Sequence, residues 1–532
     1  MHQEEQSFLS RRALLATIGK VAGGAAMYQA MSSMGYAAES DYRGPVKLSP
    51  AKPGATVLVL GAGLAGMTAA YELRAAGYQV QILEFNDRAG GRNWTLRGGD
   101  RYTELGGFTQ NVDFAPGNYI NPGPWRIPYH HYAVLDYCKR LGVALEPFIQ
   151  INYNAYVHST NAFGGKPQRF RHIQTDVHGH VAELLAKAAN QGALDQSVTR
   201  EDRQRLLEGL KAWGALDKDY RFAAGTISSD RRGYDIDPGG GLMPLAKPSQ
   251  PMGLKDVLSS EMWGQVALGN IYEFHSAIFQ PVGGMDNIGK AFERELKSLI
   301  RYNTKITKIE QSASKVTVTY VDAKGGGAVR QASADWCVCT IPLSILSQIE
   351  VQVGDAMKQA ISAVPYGASV KVGLEFKRRF WEEDEQIFGG ITQTNLPIRN
   401  ISYPSNGFLS KGPGVLLGCY MFDNVHAFRM TGLSPEERVR AALEMGSQIH
   451  PQYKQEFKTG VAVAWNRVPF INGCYGRWTD ALRAQHYKNL CEIDDRIVLA
   501  GEHASYIPAW MEGAILSSLD AIQRLHRKAL AA

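Results

Sequence analysis

The stretch TVLVLGAGLAGMTAAYELRAAG, residues 56–77, constrains the fold more than any other part of the chain. The five residues TVLVL form a mainly apolar run of strand length, three glycines follow at GxGxxG spacing, and the next residues have helical periodicity. A strand that passes through such a turn into a helix begins a βαβ unit, and the second strand follows as QVQILE, residues 79–84. The chain is therefore predicted to contain a parallel sheet covered by helices.

The three glycines and the acid at the end of the second strand each have a physical role in this motif. Gly61 allows the tight turn, Gly63 lets backbone amides approach a pyrophosphate, and Gly66 lets the helix pack against the strand. The amino terminus of the helix faces the phosphates with its partial positive charge. Glu84 is placed to accept hydrogen bonds from an adenosine ribose. The motif predicts a dinucleotide site.

The next stretch, DRAGGRNWT, indicates which dinucleotide is bound. Gly90, Gly91, Arg92 and Thr95 form a GGRxxT extension. It resembles the second phosphate loop of the flavin amine oxidase superfamily, in which the arginine neutralises the pyrophosphate. Nicotinamide dehydrogenases have no such element, so the resemblance favours a flavin.

Length and composition exclude several other classes of protein. A chain of 532 residues exceeds what one hydrophobic core usually serves, so two or three domains are expected. A hydrophobic content of 45% is ordinary for a globular protein, and a net charge of +6 without a basic stripe does not indicate nucleic-acid binding. Six cysteines without a CxxC pair predict buried thiols and indicate neither a metal site nor a disulfide framework.

The amino terminus has the features of a targeting segment. Ser10, Arg11 and Arg12 precede a weakly apolar stretch rich in alanine and glycine, which Lys20 interrupts. This pattern resembles a twin-arginine export signal and is too short and too glycine-rich for a membrane span. Residues 1–40 are therefore predicted to direct export to the periplasm or the medium. The alternative is a basic, disordered tail.

Four motifs, in the order GAGLAGM, GGRNWT, PVGGMD and AGEHA, extend the resemblance to residues 52–530. They are typical of the flavin-dependent amine oxidases, and the chain more narrowly resembles the L-amino acid oxidases. The resemblance implies an α/β (mixed α+β) fold, with a Rossmann-like FAD-binding domain, a mixed-sheet substrate domain and a helical subdomain. It also implies FAD as cofactor, held without a covalent bond, and assembly into a dimer or larger homo-oligomer.

The domains implied by this resemblance are discontinuous. Apolar positions three and four residues apart indicate helix over residues 181–215, and the Gly/Pro-rich segment 234–251 indicates a loop or lid. The predicted boundaries are 52–110, 278–346 and 484–532 for the FAD-binding domain, 111–160 and 347–483 for the substrate-binding domain, and 161–277 for the helical domain.

The resemblance also assigns cofactor contacts. Glu502 would bind ribose or ribityl hydroxyls, and the helix beginning near Met511 would direct its amino-terminal amides at flavin N1 and O2. The full set of predicted cofactor-binding residues is Gly61, Gly63, Leu64, Ala65, Gly66, Glu84, Phe85, Gly91, Arg92, Gly106, Gly107, Thr340, Gly501, Glu502 and Met511.

The segment GPWRIP, residues 123–128, resembles the position in L-amino acid oxidases where an arginine binds the substrate carboxylate. Arg126 offers the planar, two-pronged donor that matches a carboxylate, and Trp125 and Pro128 would hold it rigid. The alternative is that Arg126 pairs with an internal acid. Tyr420 is predicted to donate its hydroxyl to the same carboxylate, with Cys419 as the competing position if the strand register differs by one.

Three further positions complete the predicted site. Trp510 would form one wall and hold the substrate's alpha carbon over the flavin. Ala509, where relatives often have glycine, would present its carbonyl to the substrate amine. Lys371 matches a family lysine that holds a water against flavin N5, and burying a lysine on an apolar strand is costly without a partner. The alternatives are structural: an interface aromatic for Trp510 and an outward-facing lysine for Lys371.

The resemblance implies oxidative deamination of L-amino acids to 2-oxo acid, ammonia and hydrogen peroxide, by hydride transfer from the alpha carbon to flavin N5. Its predicted partners are the L-amino acid and molecular oxygen. A flavin amine oxidase or dehydrogenase, an amino acid 2-monooxygenase, and a flavin-binding scaffold without turnover remain alternatives. A flavin linked covalently through Cys474, as in monoamine oxidases, is the alternative to dissociable FAD. The preferred side chain is left open.

Overall fold

The computed structural model describes residues 40–194, 198–422 and 424–532. The predicted export signal falls almost entirely on residues 1–39, which lie outside the described residues, so it stays a prediction. Within the described residues, no helix is both long and apolar enough to cross a membrane.

A six-stranded sheet is built around the glycine motif. The strand Thr56–Leu60 lies at its centre and continues through Gly61–Gly63 into the helix Leu64–Ala75. Its strands are parallel except for the edge strand Ile493–Asp494, which pairs antiparallel with its neighbour. In spatial order the strands are Ile300–Arg301, Gln79–Leu83, Thr56–Leu60, Trp336–Cys339, Ile497–Leu499 and Ile493–Asp494.

The two faces of this sheet are both buried, which explains why three of its strands, Thr56–Leu60, Trp336–Cys339 and Ile497–Leu499, are almost continuously apolar. Val57 and Val59 face one hydrophobic core, whereas Leu58 and Leu60 face another. The first core also contains apolar residues from the helices Leu64–Ala75, Tyr132–Arg140, Asn287–Leu296 and Met511–Ala531. The second core is shared with a four-stranded sheet of Arg330–Ala334, Val316–Asp322, Thr304–Gln311 and Glu350–Val351.

A seven-stranded mixed sheet forms the second large layer. Its strand Val370–Phe376 is buried at every residue and pairs antiparallel with Gly414–Met421 on one side and Phe457–Ala464 on the other. This pairing places Lys371 opposite Tyr420. The remaining strands, in order outward from Gly414–Met421, are Asn400–Ser402, Ile391–Thr394, Tyr156–His158 and Gln168–Arg169.

The chain from residue 170 to residue 274 is mainly helical. The pattern over 181–215 corresponds to parts of two helices, Phe170–Asn190 and Arg200–Trp213, and not to one. The second helix starts at Arg200 because Thr199 and Asp202 form a reciprocal capping box. The shorter helices that follow are Thr226–Arg232, Leu254–Ser259 and Trp263–Val266. In the predicted lid, Tyr234–Ile236 and Lys247–Pro248 pair as two short antiparallel strands.

Short elements connect the layers. The paired strands are Ile127–Pro128 and Leu145–Pro147 on either side of Ile278–Pro281, Leu96–Arg97 with Tyr119–Ile120, and Arg101–Thr103 with Thr109–Asn111. The remaining α-helices are Leu343–Leu346, Asp355–Ala363, Phe380–Glu383, Asn424–Thr431, Pro435–Gly446, Tyr453–Glu456, Asp480–Leu482 and Lys488–Cys491. The predicted mixed α/β class is confirmed.

Candidate active site

A cavity of ≈ 270 Å³ opens at the carboxyl ends of the parallel strands. Gly61, Glu84, Thr340 and Gly501 each follow one of four neighbouring strands, and all four line the cavity. Ligands of open α/β sheets bind at this edge, because the turns after the strands diverge there. The glycine motif, the acid after the second strand and the carboxy-terminal motif therefore meet in one place.

The glycines of the first turn are required by close backbone contacts. A Cβ atom on Gly66 would lie 2.0 Å from the carbonyl oxygen of Gly61, so any side chain there would separate the helix from the strand. Gly61 has a φ of +103°, and a Cβ there would lie 2.7 Å from Oγ1 of Thr340. By contrast, a Cβ on Gly63 would meet nothing within 4 Å. Because Gly63 also lines the cavity, its backbone is open to a ligand.

Glu84 joins the first turn to the second strand. Its buried carboxylate accepts hydrogen bonds from the backbone N–H of Ala62 at 2.6 Å and of Asn86 at 2.8 Å. The first bond holds the glycine turn against the strand end. The two glycine loops also touch, because a Cβ on Gly91 would lie 3.1 Å from Cα of Gly63. Together these contacts make a narrow backbone cradle beneath one end of the cavity.

Arg92 and Glu502 form an ion pair in the cavity wall. Nη1 of Arg92 lies 2.8 Å from Oε1 of Glu502 and also donates to the carbonyl oxygen of Cys474 at 2.7 Å. The other carboxylate oxygen of Glu502 accepts the N–H of Ala509 at 3.1 Å. Both charged side chains line the cavity, and the pyrophosphate contact of Arg92 stays a prediction.

The carboxy-terminal motif ends in a long helix that points its amino terminus at the cavity. Trp510 is the residue before the helix Met511–Ala531, and both Trp510 and Met511 line the cavity. Ala509 has a φ of +67°, in the left-handed region that costs an alanine energy and a glycine almost none. This backbone conformation accounts for the glycine that relatives often have at this position.

Gly106 and Gly107 are not among the residues that line the cavity, so their predicted cofactor contacts stay predictions without support from its geometry. The structure places both glycines, exposed, in the turn between the strands Arg101–Thr103 and Thr109–Asn111. Both have positive φ, of 101° and 89°, so the turn geometry alone accounts for the two glycines.

Arg126 lines the cavity among aromatic rings. Its guanidinium carbon is 4.4 Å from the ring centre of Phe274, 5.1 Å from that of Trp125 and 5.7 Å from that of Trp510. Cation–π contacts of this kind help to fix the plane of a guanidinium. The arginine and the three rings all line the cavity.

The strand register selects Tyr420 over Cys419. Tyr420 lines the cavity and packs edge-on against Trp125, with ring centres 5.4 Å apart. Cys419 is fully buried in the hydrophobic core on the other face of the sheet. Burial raises the pKa of Tyr420 to about 12, so its hydroxyl is protonated at neutral pH and can act as a donor.

Lys371 is buried beside this aromatic wall. Its Nζ donates to the carbonyl oxygen of Gly123 at 2.6 Å and of Asn121 at 3.2 Å, and lies 4.5 Å from the ring centre of Tyr420. Burial lowers the pKa of Lys371 to about 7. Lys371 lies behind Trp125 and Tyr420 rather than among the cavity-lining residues, so its predicted contact with a water stays a prediction.

Cys474 lines the same cavity as the predicted flavin motifs. Burial raises the pKa of its thiol to about 11. At neutral pH the side chain is therefore a thiol, which is a weak nucleophile compared with a thiolate.

Several cavity residues were not predicted from the sequence. Glu273 and Phe274 come from a short turn in the helical segment and carry no recognisable motif. Phe470 stacks on the predicted Phe85, with ring centres 4.5 Å apart and planes inclined by 5°. Other unpredicted lining residues are Asn86, Phe422, Trp465, Ile471 and Tyr475. No group of three or more His, Cys, Asp or Glu residues that could hold a metal ion occurs in the described part of the chain.

Comparison with known families gives one match across most of the chain. The family described as flavin containing amine oxidoreductase matches residues 64–526. The match runs from the helix after the glycine turn almost to the end of the carboxy-terminal helix.

Curated proteins with similar sequences have names that point to one activity. A putative L-amino-acid oxidase of Bacillus subtilis is 29% identical over 487 residues, covering 88% of this chain and 94% of that protein. An L-amino-acid oxidase of Siganus canaliculatus is 27% identical over 89% of this chain and 86% of its own length. One of Gloydius halys is 28% identical over 88% of this chain and 89% of its own length.

Solved structures with the same fold are more distant in sequence. Cyclohexylamine oxidase from Brevibacterium oxydans superposes with a TM-score of 0.58 at 17% identity, covering 90% of this chain and all of that one. Putrescine oxidase bound to putrescine gives the same TM-score, identity and coverage. At this identity the likeness establishes the fold.

Proposed function

The chain belongs to the flavin-containing amine oxidoreductase family, and on that premise we propose that it is an FAD-dependent L-amino acid oxidase. The proposed substrate is an L-amino acid, and the proposed products are the 2-oxo acid, ammonia and hydrogen peroxide. The names of the curated relatives support this choice of substrate.

The cavity residues fit an FAD molecule. The open backbone at Gly63 and the amino terminus of the helix Leu64–Ala75 suit a pyrophosphate, and Glu84 suits the adenosine ribose. The amino terminus of the helix Met511–Ala531, which also faces the cavity, would favour the negative charge of a reduced isoalloxazine. When bound, the flavin would accept a hydride from the substrate's alpha carbon and pass both electrons to oxygen.

The protein side chains would bind and orient the amino acid. Arg126 would hold the alpha-carboxylate with two parallel N–H donors, and the protonated hydroxyl of Tyr420 would add a third. Trp125, Phe274 and Trp510 surround that position with apolar rings, which exclude water and strengthen the ion pair.

The substrate amine must be neutral when the hydride leaves, because a protonated amine cannot supply the electron pair that forms the C=N bond. Ala509 is fixed in the left-handed conformation beside Trp510, and we infer that its carbonyl oxygen accepts a hydrogen bond from the amine. The imino acid then hydrolyses to the 2-oxo acid and ammonia.

One observation carries the proposal more than any other: a guanidinium that lines the cavity and is held by three aromatic rings. A carboxylate is the ligand that such a planar donor matches. An enzyme for simple amines has no carboxylate to bind, so the arginine would be of no use to it.

The direct test compares amino acids with their decarboxylated amines. Peroxide formation is measured with the twenty L-amino acids, with their D-enantiomers, and with amines such as phenethylamine and cadaverine. The proposal expects turnover of L-amino acids and little or none of the amines. Turnover confined to amines would assign the protein to the amine oxidases and disprove the proposal.

Lys371→Met is expected to slow the reaction with oxygen more than the reaction with the amino acid. The buried ammonium lies just behind the cavity wall, and a positive charge near the flavin stabilises the negative charge that oxygen acquires. Stopped-flow measurement of the two half-reactions separates the effects. A loss confined to the reaction with the amino acid would contradict this role.

The pH dependence of stability provides a second measurement on the same variant. The pKa of Lys371 falls from its ordinary value of 10.5 to about 7 in the folded protein. When the pH lies between these two values, folding therefore releases the proton of Lys371. The buried charge is therefore destabilising below pH 7, and the penalty fades as the pH rises from 7 to 10.5. The Tm advantage of Lys371→Met over the wild type should be larger at pH 6 than at pH 9. A difference that does not change with pH would show that Lys371 is not buried in this way.

The flavin is expected to dissociate from the protein on acid denaturation. The pKa of the Cys474 thiol is raised to about 11, so little thiolate is present to attack the flavin's 8-methyl group. After acid precipitation, yellow colour in the supernatant is the expected result. Colour that stays with the pellet in the wild type and leaves it in Cys474→Ser would establish a thioether bond instead.

A further inference from the structure

Glu273 is a buried carboxyl group in the wall of the cavity that the proposed reaction does not use. It lies in the short turn Tyr272–Phe274, immediately before the residue whose ring contacts Arg126. Only 4% of Glu273 is exposed, and it lines the cavity. Its Oε2 atom has no hydrogen-bond partner in the part of the chain that the structure describes.

The other two carboxylates of the cavity wall have their partners within the protein. Glu84 accepts hydrogen bonds from the backbone N–H groups of Ala62 and Asn86. Glu502 pairs with Arg92 and accepts the N–H groups of Gly476 and Ala509. Glu273 therefore differs from both, because one of its oxygens is satisfied by no described residue.

The surroundings of Glu273 suit a cation supplied by a ligand. Burial raises the pKa of Glu273, and the nearby basic side chains of Arg126 and His275 oppose that rise. Under the proposed function, however, the substrate carboxylate neutralises Arg126. Of its two basic neighbours, Glu273 would then keep only His275, which is unfavourable for a buried carboxyl group unless the substrate also brings a cation.

That cation cannot be the alpha-amine, which must be neutral when the hydride leaves. A basic side chain meets the requirement, since its ammonium or guanidinium group stays protonated at neutral pH. The methylene groups of such a side chain are apolar, and Ile271, just before the turn, and Phe274, its last residue, offer apolar surface in the same wall.

We propose that Glu273 binds the charged end of the substrate side chain, so that the cavity selects L-amino acids carrying a guanidinium or an ammonium group. This inference rests on the proposed function and gives it a substrate class. It assigns Glu273 to specificity rather than to the chemical step.

The kinetic test uses pairs of substrates that differ mainly in charge. L-citrulline is the uncharged isostere of L-arginine, and L-norleucine lacks the ammonium of L-lysine. A charge-assisted pair in a dry site predicts that wild-type kcat/KM is about 100-fold higher for the charged member of each pair. Glu273→Gln should remove most of that preference while changing kcat/KM for citrulline and norleucine by less than about threefold.

Two variants control for folding and for general charge effects. Glu273→Asp keeps the charge and should keep the preference for the charged substrates, although with a raised KM. Glu261→Gln changes an exposed acid in the same segment and should leave the preference unchanged. Flavin absorbance and Tm of each holoenzyme show whether the fold is retained.

A binding measurement separates this inference from the proposed reaction. The compound 5-guanidinopentanoate is arginine without its alpha-amine, so it cannot be oxidised, and 5-ureidopentanoate is its uncharged counterpart. Calorimetry should show tighter binding of the guanidinium compound by the wild type, with a Kd raised about 30-fold in Glu273→Gln. Binding of the ureido compound should be equal in both proteins.

The possible results are distinct. Turnover of neutral amino acids in preference to basic ones, with ratios unchanged by Glu273→Gln, would overturn the inference and leave the proposed function intact. No turnover of any amino acid, together with guanidinium binding that depends on Glu273, would overturn the proposed function and leave the cation site in place.

Discussion

Replacing Arg126 with lysine is expected to lower kcat/KM for L-amino acids about 100-fold, because a point charge replaces a planar pair of donors. The magnitude follows from the loss of two charge-assisted hydrogen bonds, which contribute about 3 kcal/mol in a dry site. The effect should appear mainly as a higher KM, since the carboxylate is bound in the ground state as well as in the transition state. Steady-state kinetics with oxygen uptake measure both constants.

The control for Arg126→Lys is a substrate without a carboxylate. Any residual turnover of the corresponding amine should change far less than turnover of the amino acid. Arg169→Lys is a matched protein control, because Arg169 also lies over an aromatic ring, at 4.2 Å from the centre of Tyr156, but is not among the cavity-lining residues. Equal losses for the amino acid and the amine in Arg126→Lys would show that Arg126 does not bind the carboxylate.

Gly66→Ala is expected to weaken flavin binding strongly. The new Cβ would lie 2.0 Å from the carbonyl oxygen of Gly61, and neither atom belongs to a flexible side chain, so the helix must move away from the turn. A displaced cradle loses its amide contacts with the phosphates, which predicts a loss of affinity for FAD of at least about tenfold. Flavin absorbance per protein, measured after gel filtration, reports the loss.

Two other glycine variants show whether the effect is specific. Gly63→Ala meets no protein atom, so it should leave Tm of the apoprotein unchanged and lower flavin content by entering the cavity. Gly209→Ala, in the open middle of the helix Arg200–Trp213, should stabilise the protein by about 0.5–1 kcal/mol and keep the flavin. Full flavin content in Gly66→Ala would contradict the packing argument.

The predictions that succeeded depend on short stretches of chain. The strand, glycine turn and helix at 56–75 are specified by local conformational freedom and periodicity, so their bounds could be anticipated closely. The strand and the helix on either side of the carboxy-terminal motif could be anticipated for the same reasons. In both places a glycine is needed for close backbone approach, and that need is visible in the sequence.

What the sequence could not specify depends on contacts between distant segments. The register that points Tyr420 into the cavity and Cys419 into the core is set by pairing with Val370–Phe376, about fifty residues earlier in the chain. The pairing of Arg92 with Glu502 joins residues 410 positions apart. No sequence motif marks Glu273, because a single acid in a short turn resembles any surface acid until its burial is known.

Gly106 and Gly107 show that a pair of glycines does not by itself identify a cofactor loop. A pair of glycines after a flavin motif resembles a cofactor loop, but a tight hairpin turn has the same requirement for positive φ. Ala509 shows the reverse case, in which the left-handed conformation is kept although the residue is not glycine. In both cases backbone geometry, and not residue type, decides what the position does.

The stoichiometry of products from one L-amino acid tests the central claim most directly. Oxygen uptake, ammonia, hydrogen peroxide and 2-oxo acid are measured in the same reaction with purified holoenzyme in the absence of catalase. The proposed function predicts one molecule of peroxide, one of ammonia and one of 2-oxo acid for each oxygen consumed, allowing for 2-oxo acid that the peroxide decarboxylates. Formation of the amide and carbon dioxide would identify a monooxygenase, and turnover only with an artificial electron acceptor would identify a dehydrogenase; either result would contradict the account.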